Sequence, residues 1–378
     1  MNKPLALFAT IIFALCHFAH VNANTNQRNI TEILSGESEE EFARAVEPMV
    51  FVFPTDHGAH PDYKTEWWYY TGNLKTERGR EFGYQLTFFR RALAAEMPTR
   101  KSHLGTNQIY MAHFALTDVK AKTHTSFERY SRGAGGLAGA RGEPTYEVWL
   151  EDWSASQDSG SIFRLRAVDD QIEPRAAIDL YLRETRAPLL HGERGLSQKG
   201  LERGNANHYY SLVGLDTEGT IISRGEKHNV SGKSWMDHEF GTSALSKGVV
   251  GWDWFGLQLD DGTALMFGRL RESEGGDLGI FEGTVSHADG RQMSIHPGDF
   301  TVTATGSWNS PETGITYPSG WQVDFPSIGI EFRINPLIPN QELFGGYTYW
   351  EGAVSVEGTI KEVTVKGRGY VELTGYER

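Results

Sequence analysis

The sequence predicts an all-β fold made of two similar units. From Glu66 onward, apolar and aromatic residues come in runs of about four to eight, which is the length of a strand. Turn dipeptides such as Asp261-Gly262 and Glu357-Gly358 separate these runs. Two motifs each occur twice in the chain, and both copies follow the same order. With 43 Gly and 14 Pro, few helical windows survive, and the main helix candidates are residues 40–46 and 196–204.

The internal repeat defines an opening and a closing strand for each unit. The aromatic run at residues 67–70 is matched by residues 252–255, and each is followed by a turn and a second apolar strand. A Val-x-Gly-x-x-aromatic pattern at 230–235 is matched at 365–370. Many evenly spaced strands with hairpin turns predict sandwiches or barrels, and a closed barrel of about eight strands can hold one small ligand.

The N-terminus predicts an exported protein. Residues 1–23 resemble a secretory signal, with Lys3 at its start and an apolar run at 5–16 that is too short to span a bilayer. Small residues predict cleavage after Ala23, so we expect a secreted or periplasmic protein. Residues 24–47 are polar and acidic and predict an N-terminal arm.

Charge and cysteine content exclude several classes of function. A formal net charge of −13, without a basic patch interleaved with aromatics, argues against nucleic acid as a partner. Cys16 is the single cysteine and lies in the signal, so the mature chain can have no disulfide, thiol nucleophile or cysteine zinc site. The Gly-x-Ser-x-Gly nucleophile elbow is absent. No cofactor is predicted.

Several motifs together resemble the carotenoid 1,2-hydratase (hydroxyneurosporene synthase) and AttH-like family, over about residues 50–378. They are EWWYYTGNL at 66–74, YQLTFFR at 84–90, HFAL at 113–116, SWMDHE at 234–239, GWDWF at 251–255 and YWEGA at 349–353. The resemblance implies two tandem lipocalin-like (calycin) antiparallel β-barrels packed together, as domains at 48–240 and 241–378. It also implies an apolar, isoprenoid or lipid-like ligand, and hydration of an isolated alkene in the characterised branch. The AttH-like secreted branch, whose members are often labelled as secreted hydrolases, is closer to this chain.

Asp237 is the predicted proton donor for such a reaction. Hydration of an alkene begins with protonation, and a carboxylic acid kept neutral by an apolar pocket is a suitable donor. His238 and Glu66 are predicted to assist, although a regular strand places Asp237 and His238 on opposite faces. The second unit has Glu372 at the position of Asp237 and no counterpart of His238, which favours the first barrel as the working one. Hydrogen bonding at a strand end is the alternative role of Asp237.

The aromatic residues of the repeated strands are the predicted ligand-binding set. Aromatic faces stabilise a carbocation as it forms, but packing between two sheets is the alternative explanation for so many rings. The predicted set is Trp67, Trp68, Tyr69, Tyr70, Tyr210, Trp235, Trp252, Trp254 and Trp350.

Two further groups of charged residues need partners. Asp253 and Glu351 lie inside aromatic strands, and a buried charge there requires a counterion. The predicted counterions are Arg90, Arg91, Arg269 and Arg271. His57 and His60 precede the first strand and are weak metal candidates, together with Asp56, Asp62 or Glu66. Hydrogen bonding within the loop is the alternative.

Three functional hypotheses follow from the sequence. The first is a hydratase or isomerase that uses acid catalysis on an apolar ligand. The second is a non-enzymatic periplasmic carrier that shuttles such a ligand or serves a membrane export system. The third is a secreted hydrolase, which would need the metal candidates His57 and His60. The sequence predicts neither the identity of the ligand nor the oligomeric state.

Overall fold

The computed structural model describes residues 41–96, 102, 104–157, 160–169, 175–242, 245–246, 248–273 and 276–377. The predicted signal and most of the predicted N-terminal arm lie outside these residues. Within the described part of the chain no helix is long and apolar enough to cross a membrane. A 3-10 helix at Thr55–His57 is the one helical element of that part. The two helix predictions were wrong: residues 41–46 form no helix, and Leu196–Gln198 is a strand that pairs with a longer one.

Strands make up nearly all the regular structure, in two large sheets and one small hairpin. In chain order they are β1 (Thr65–Lys75), β2 (Glu81–Ala92), β3 (Gln108–Asp118), β4 (Thr123–Arg132), β5 (Ala138–Arg141), β6 (Glu147–Leu150), β7 (Trp153–Gln157), β8 (Ile162–Val168), β9 (Ala176–Glu184), β10 (Leu189–Leu190), β11 (Leu196–Gln198), β12 (Ala206–Ser223), β13 (Glu226–Gly241), β14 (Val249–Leu259), β15 (Ala264–Glu272), β16 (Gly283–Ser286), β17 (Gln292–Ile295), β18 (Thr301–Ala304), β19 (Ser307–Asn309), β20 (Thr316–Pro318), β21 (Trp321–Phe325), β22 (Ile330–Pro336), β23 (Glu342–Leu343), β24 (Tyr349–Ile360) and β25 (Val363–Leu373).

The two large sheets repeat one topology. The first runs β4-β3-β2-β1-β13-β12-β9-β8-β7-β6-β5, and the second runs β17-β16-β15-β14-β25-β24-β22-β21-β18. In each, the opening aromatic strand pairs antiparallel with the closing strand, β1 with β13 and β14 with β25. The first sheet is a nearly closed barrel and the second is a half-barrel. The prediction of an all-β fold with two barrel-like units is confirmed.

Side-chain alternation along the opening strand divides its aromatic residues between two environments. Trp68 and Tyr70 point into the core of the first barrel. Tyr69 points the other way, into an apolar cluster that also contains Trp254 of the second sheet. The strand is buried on both faces because a barrel interior covers one and the second sheet covers the other.

The two carboxylates inside aromatic strands have different partners. Asp253 is fully buried and forms ion pairs with Arg269 at 2.7 Å and Arg271 at 3.1 Å, as predicted. Glu351 has no arginine partner among the described residues. Arg90, one of the predicted counterions, lies 2.7 Å from Glu66 in the first barrel. Glu351 is instead bonded to Tyr69, which lines the pocket described next.

Candidate active site

An apolar pocket lies between the two sheets. The pocket is narrow, and its cavity volume is about 700 Å³ including the open mouth. Both sheets and their connections contribute to the lining, which is mostly aromatic and aliphatic. The lining residues are Trp67, Tyr69, Thr87, Phe89, Lys199, Asn207, Asp237, Glu239, Leu245, Trp252, Trp254, Leu270, Phe281, Tyr349 and Glu372.

Asp237 is a buried acid on the wall contributed by the first sheet. Tyr209 donates a hydrogen bond to its Oδ2 at 2.9 Å, and Trp235 Nε1 donates one to Oδ1 at 2.6 Å. The hydroxyl of Ser211 is a third donor. Burial raises the pKa of Asp237 to about 7, and the nearby Glu239 adds to this, although the three donors oppose it. Near neutral pH, Asp237 is therefore protonated in a large fraction of molecules.

Glu372 is the equivalent acid on the wall of the second sheet. Trp254 lies opposite it on β14, just as Tyr69 lies opposite Asp237 on β1. Trp252 Nε1 donates a hydrogen bond to Glu372 Oε2 at 3.0 Å. Burial raises the pKa of Glu372 to about 7, with a further contribution from the charge of Asp237. The repeat therefore places two carboxyl groups with similar pKa values on one pocket.

Lys199 is the one cation among the described residues that line the pocket. Its Nζ lies 3.3 Å from Glu239 Oε2, which also accepts a hydrogen bond from Asn207 at 2.9 Å. The ammonium also lies over the ring of Phe281, 4.2 Å from its centroid. Lys199 forms its ion pair with Glu239, and burial remains the largest influence on the pKa of Asp237.

Polar side chains lie behind Tyr69 and Tyr349, which line the pocket. The Tyr69 hydroxyl donates to Glu351 Oε1 at 2.5 Å. Burial raises the pKa of Glu351 well above its usual range, with a further contribution from Glu372, and so favours the protonated form of Glu351. Nearby, the Tyr349 hydroxyl forms a hydrogen bond with His113 Nδ1 at 2.8 Å.

His238 and Glu66 lie on the opposite face of the same strands, inside the first barrel. Glu66 Oε2 accepts a hydrogen bond from Arg90 Nε at 2.7 Å, and Oε1 is bonded to His60 Nδ1 at 2.8 Å and His238 Nε2 at 2.9 Å. Burial raises the pKa of Glu66, but Arg90 and His60 outweigh it and hold that pKa well below the usual range. Neither His238 nor Glu66 is one of the described residues that line the pocket. The strand stays regular, so Asp237 and His238 are not an acid–base pair.

One group of side chains could hold a metal ion. His60, Glu66 and His238 each offer a ligand atom, and these atoms lie within 4.8 Å of one another. An arginine already bonded to Glu66 opposes a cation there, because the two positive charges would repel. His57 is not part of this group, since its Nδ1 bonds the Tyr210 hydroxyl at 2.6 Å.

The predicted ligand-binding aromatics divide by face. Trp67, Tyr69, Trp252 and Trp254 line the pocket. Trp235 packs beside it and holds Asp237. The others lie in the barrel cores: Trp68, Tyr70 and Tyr210 in the first and Trp350 in the second.

Several site residues were not among those predicted, and those with charged or hydrogen-bonding roles include Tyr209, Glu239, Lys199 and Glu372. The repeat pairs Glu372 with Asp237, and Glu239 follows Asp237 by two positions on one strand face, so both carried a usable signal. No local pattern marks Lys199, which reaches the pocket from a loop.

Comparison with known proteins gives a consistent picture of the fold. A family model described as AttH-like matches residues 44–376. A kievitone hydratase from Fusarium solani subsp. phaseoli is 22% identical over 227 residues, which cover 58% of this chain and 62% of that protein. The match thus spans less than two thirds of that relative's length.

Two solved structures resemble the chain over most of its length. An AttH structure from Nitrosomonas europaea is 33% identical, has a TM-score of 0.78, and covers 89% of this chain and 100% of its own. The kievitone hydratase from Nectria haematococca is 15% identical, has a TM-score of 0.66, and covers 88% and 95% respectively. At that identity the second likeness indicates a shared fold alone.

Proposed function

Because this chain belongs to the AttH-like family and shares its fold with a kievitone hydratase, we propose that it is a hydratase acting on an apolar ligand. The reaction would add water across a carbon–carbon double bond of an isoprenoid or lipid-like molecule held between the sheets. One observation carries the proposal: Asp237 and Glu372, each with a pKa of about 7, face one narrow aromatic pocket.

The two carboxyl groups supply the acid and the base that hydration needs. The π electrons of the alkene take the proton of Asp237, which forms a C–H bond and leaves a carbocation and a carboxylate. Water then attacks the cationic carbon and forms the C–O bond, and its surplus proton passes to the carboxylate of Glu372. Near neutral pH the pair holds about one proton, because ionisation of one group raises the pKa of the other.

The surroundings of the two acids favour Asp237 as the donor. Its carboxylate gains three hydrogen bonds as it forms, from Tyr209, Ser211 and Trp235, so the charge is stabilised at the moment of proton transfer. Glu372 accepts one such bond, from the indole of Trp252, and takes the complementary role of base.

The aromatic walls would stabilise the carbocation. Trp67, Trp252 and Trp254 line the pocket with the two acids, and the negative face of an indole ring attracts a cation. Most of the other lining is apolar, which limits water to the molecules that the reaction uses.

The test is incorporation of oxygen from oxygen-18 water into acyclic isoprenoid alkenes incubated with the mature chain. We expect labelled alcohol from the wild type, and a loss of about 10²–10⁴-fold in rate for Asp237→Asn and for Glu372→Gln. The control is Glu218→Gln, an exposed position on β12. Full turnover by Asp237→Asn would refute this mechanism. Stoichiometric binding without labelled product would support the carrier hypothesis instead.

Export is a further part of the proposal. The signal-like residues 1–23 support a secreted or periplasmic location, with a mature chain that starts at Asn24. N-terminal sequencing of the protein from its own cell envelope tests this. A mature protein that still carries residues 1–23 would contradict it.

A further inference from the structure

We propose that a hydroxyl-binding recess lies beside the pocket, behind Tyr69 and Tyr349, and that Gln85 and Glu351 supply its polar atoms. It would take one O–H group, from a water molecule or from the ligand itself. The binding chemistry stands on the geometry of the recess, whereas its role in hydration rests on the proposed function.

Two buried oxygen atoms lack hydrogen-bond partners at this place. Among the described residues, neither Gln85 Oε1 nor Glu351 Oε2 has one, although both residues are 1% exposed. The other polar atoms of these side chains are engaged. Gln85 Nε2 donates to Thr87 Oγ1 at 2.5 Å, and Glu351 Oε1 accepts from Tyr69. Buried polar atoms are rarely left unpaired in native proteins, so these two need a partner.

Contacts between β2 and β24 bring the two side chains next to each other. Gln85 Nε2 lies 3.4 Å from the Tyr349 hydroxyl. Gly83 lies two residues before Gln85 on β2, and a Cβ added to it would be 2.6 Å from the Cβ of Ala353, which lies four residues after Tyr349 on β24. Glu351 lies between Tyr349 and Ala353 on the same face of β24, so its side chain faces β2 beside Gln85.

The protonation state of Glu351 selects a hydroxyl group. Burial raises the pKa of Glu351 and so favours its protonated form; because Oε1 is already bonded to the Tyr69 hydroxyl, Oε2 is the oxygen free to carry the acid proton. The recess therefore presents one donor, Glu351 Oε2–H, and one acceptor, Gln85 Oε1. A hydroxyl group both accepts and donates, so it can satisfy the two atoms together. An ether oxygen only accepts and leaves Gln85 unpaired.

The recess lies beside the proposed base. Glu351 and Glu372 are direct cross-strand partners on β24 and β25, so their side chains emerge next to each other on one face. Tyr69 and Tyr349 line both the recess and the pocket. A water held by Gln85 and Glu351 would thus stand next to Glu372, which takes its proton during hydration.

The test uses two saturated probes, 1-octanol and methyl octyl ether, which differ in one O–H donor and cannot be hydrated. Isothermal titration calorimetry with the wild-type mature chain should give about tenfold tighter binding of the alcohol, the effect of one well-placed hydrogen bond. Glu351→Met and Gln85→Leu should abolish this preference. Glu351→Gln should retain it, because its amide can still accept from Tyr69 and donate to the hydroxyl. Glu218→Gln, at an exposed position on β12 outside the pocket, is the control and should also retain it.

A second measurement distinguishes water from a ligand hydroxyl. If water holds the recess, the alcohol and the ether bind equally, and a high-resolution crystal structure contains an ordered water bonded to Gln85 Oε1 and Glu351 Oε2. Equal binding without such a water would overturn the proposal, as would an alcohol preference that persists in Glu351→Met. Neither probe has a double bond, so these outcomes are independent of whether the protein is a hydratase.

Discussion

Replacing Asp237 by asparagine removes the titration on which the proposed mechanism depends and keeps the shape of the side chain. Burial raises the pKa of Asp237 from 3.8 to about 7. Folding therefore favours the protonated form of Asp237. The stability that Asp237 contributes in this form is complete below about pH 4 and is lost as the pH rises through the folded pKa. In the wild type this loss amounts to about 2 kcal/mol at pH 5 and about 4 kcal/mol at pH 8.

Asparagine cannot ionise, so the Asp237→Asn variant avoids this loss. Relative to the wild type, its free energy of unfolding should rise by about 2–3 kcal/mol between pH 5 and pH 8. The amide resembles the protonated acid and can still accept from Trp235. Removing the charge of Asp237 also lowers the pKa of Glu372, which acts in the same direction.

Urea unfolding of the mature chain at pH 5, 6, 7 and 8 measures this difference. The control Glu218→Gln, at an exposed site on the neighbouring strand, should show no such trend. A wild-type-minus-variant difference that is constant with pH would refute the raised pKa of Asp237. Without that pKa, an acid donor at this position would be largely ionised at neutral pH.

Three further predictions concern the other carboxylate and the buried network. Glu372→Gln should remove the acid limb of the pH–rate profile, where activity rises as Glu372 ionises, and initial rates at pH 5 to 9 check this. Glu66→Gln should destabilise the fold by about 3–5 kcal/mol in urea unfolding, because Arg90 is left buried without its counterion; a change under 1 kcal/mol would contradict the ion pair. Burial opposes the charged form of His60, but Glu66 and Asp56 raise its pKa, so His60→Gln should cost most stability below about pH 6.5 and less as pH rises through the folded pKa. The same urea series reports the trend, and a cost that grows with pH would count against it.

Most of the fold could be predicted from the duplicated motifs. A strand that opens and a strand that closes each unit were readable in the sequence, and the structure pairs them, β1 with β13 and β14 with β25. Two helices were wrongly predicted because polar windows such as 196–204 look helical in isolation. Pairing with β12 instead makes Leu196–Gln198 a strand, which is a long-range interaction that no local pattern encodes.

The candidate site was only partly predictable. Chemistry pointed to Asp237, since an acid between aromatic residues is a plausible proton donor, and the strand period already set His238 on the other face. The alternation of side chains along the strand does not predict which of its two faces contacts a ligand. Both faces of β1 are aromatic, and only the packing of the second sheet turns Trp67 and Tyr69 toward a pocket and leaves Trp68 in a core.

The sequence by itself determined the all-β class, the duplication and the family resemblance, because these depend on local periodicity and on motifs that stay contiguous in the chain. Only the tertiary structure decided that the pocket lies between the two sheets, with Glu372 facing the same space as Asp237 and Lys199 paired to Glu239. The raised pKa of each acid follows from the same packing. Burial by residues far apart in sequence removes water from both carboxyl groups, and desolvation is a property of the assembled fold.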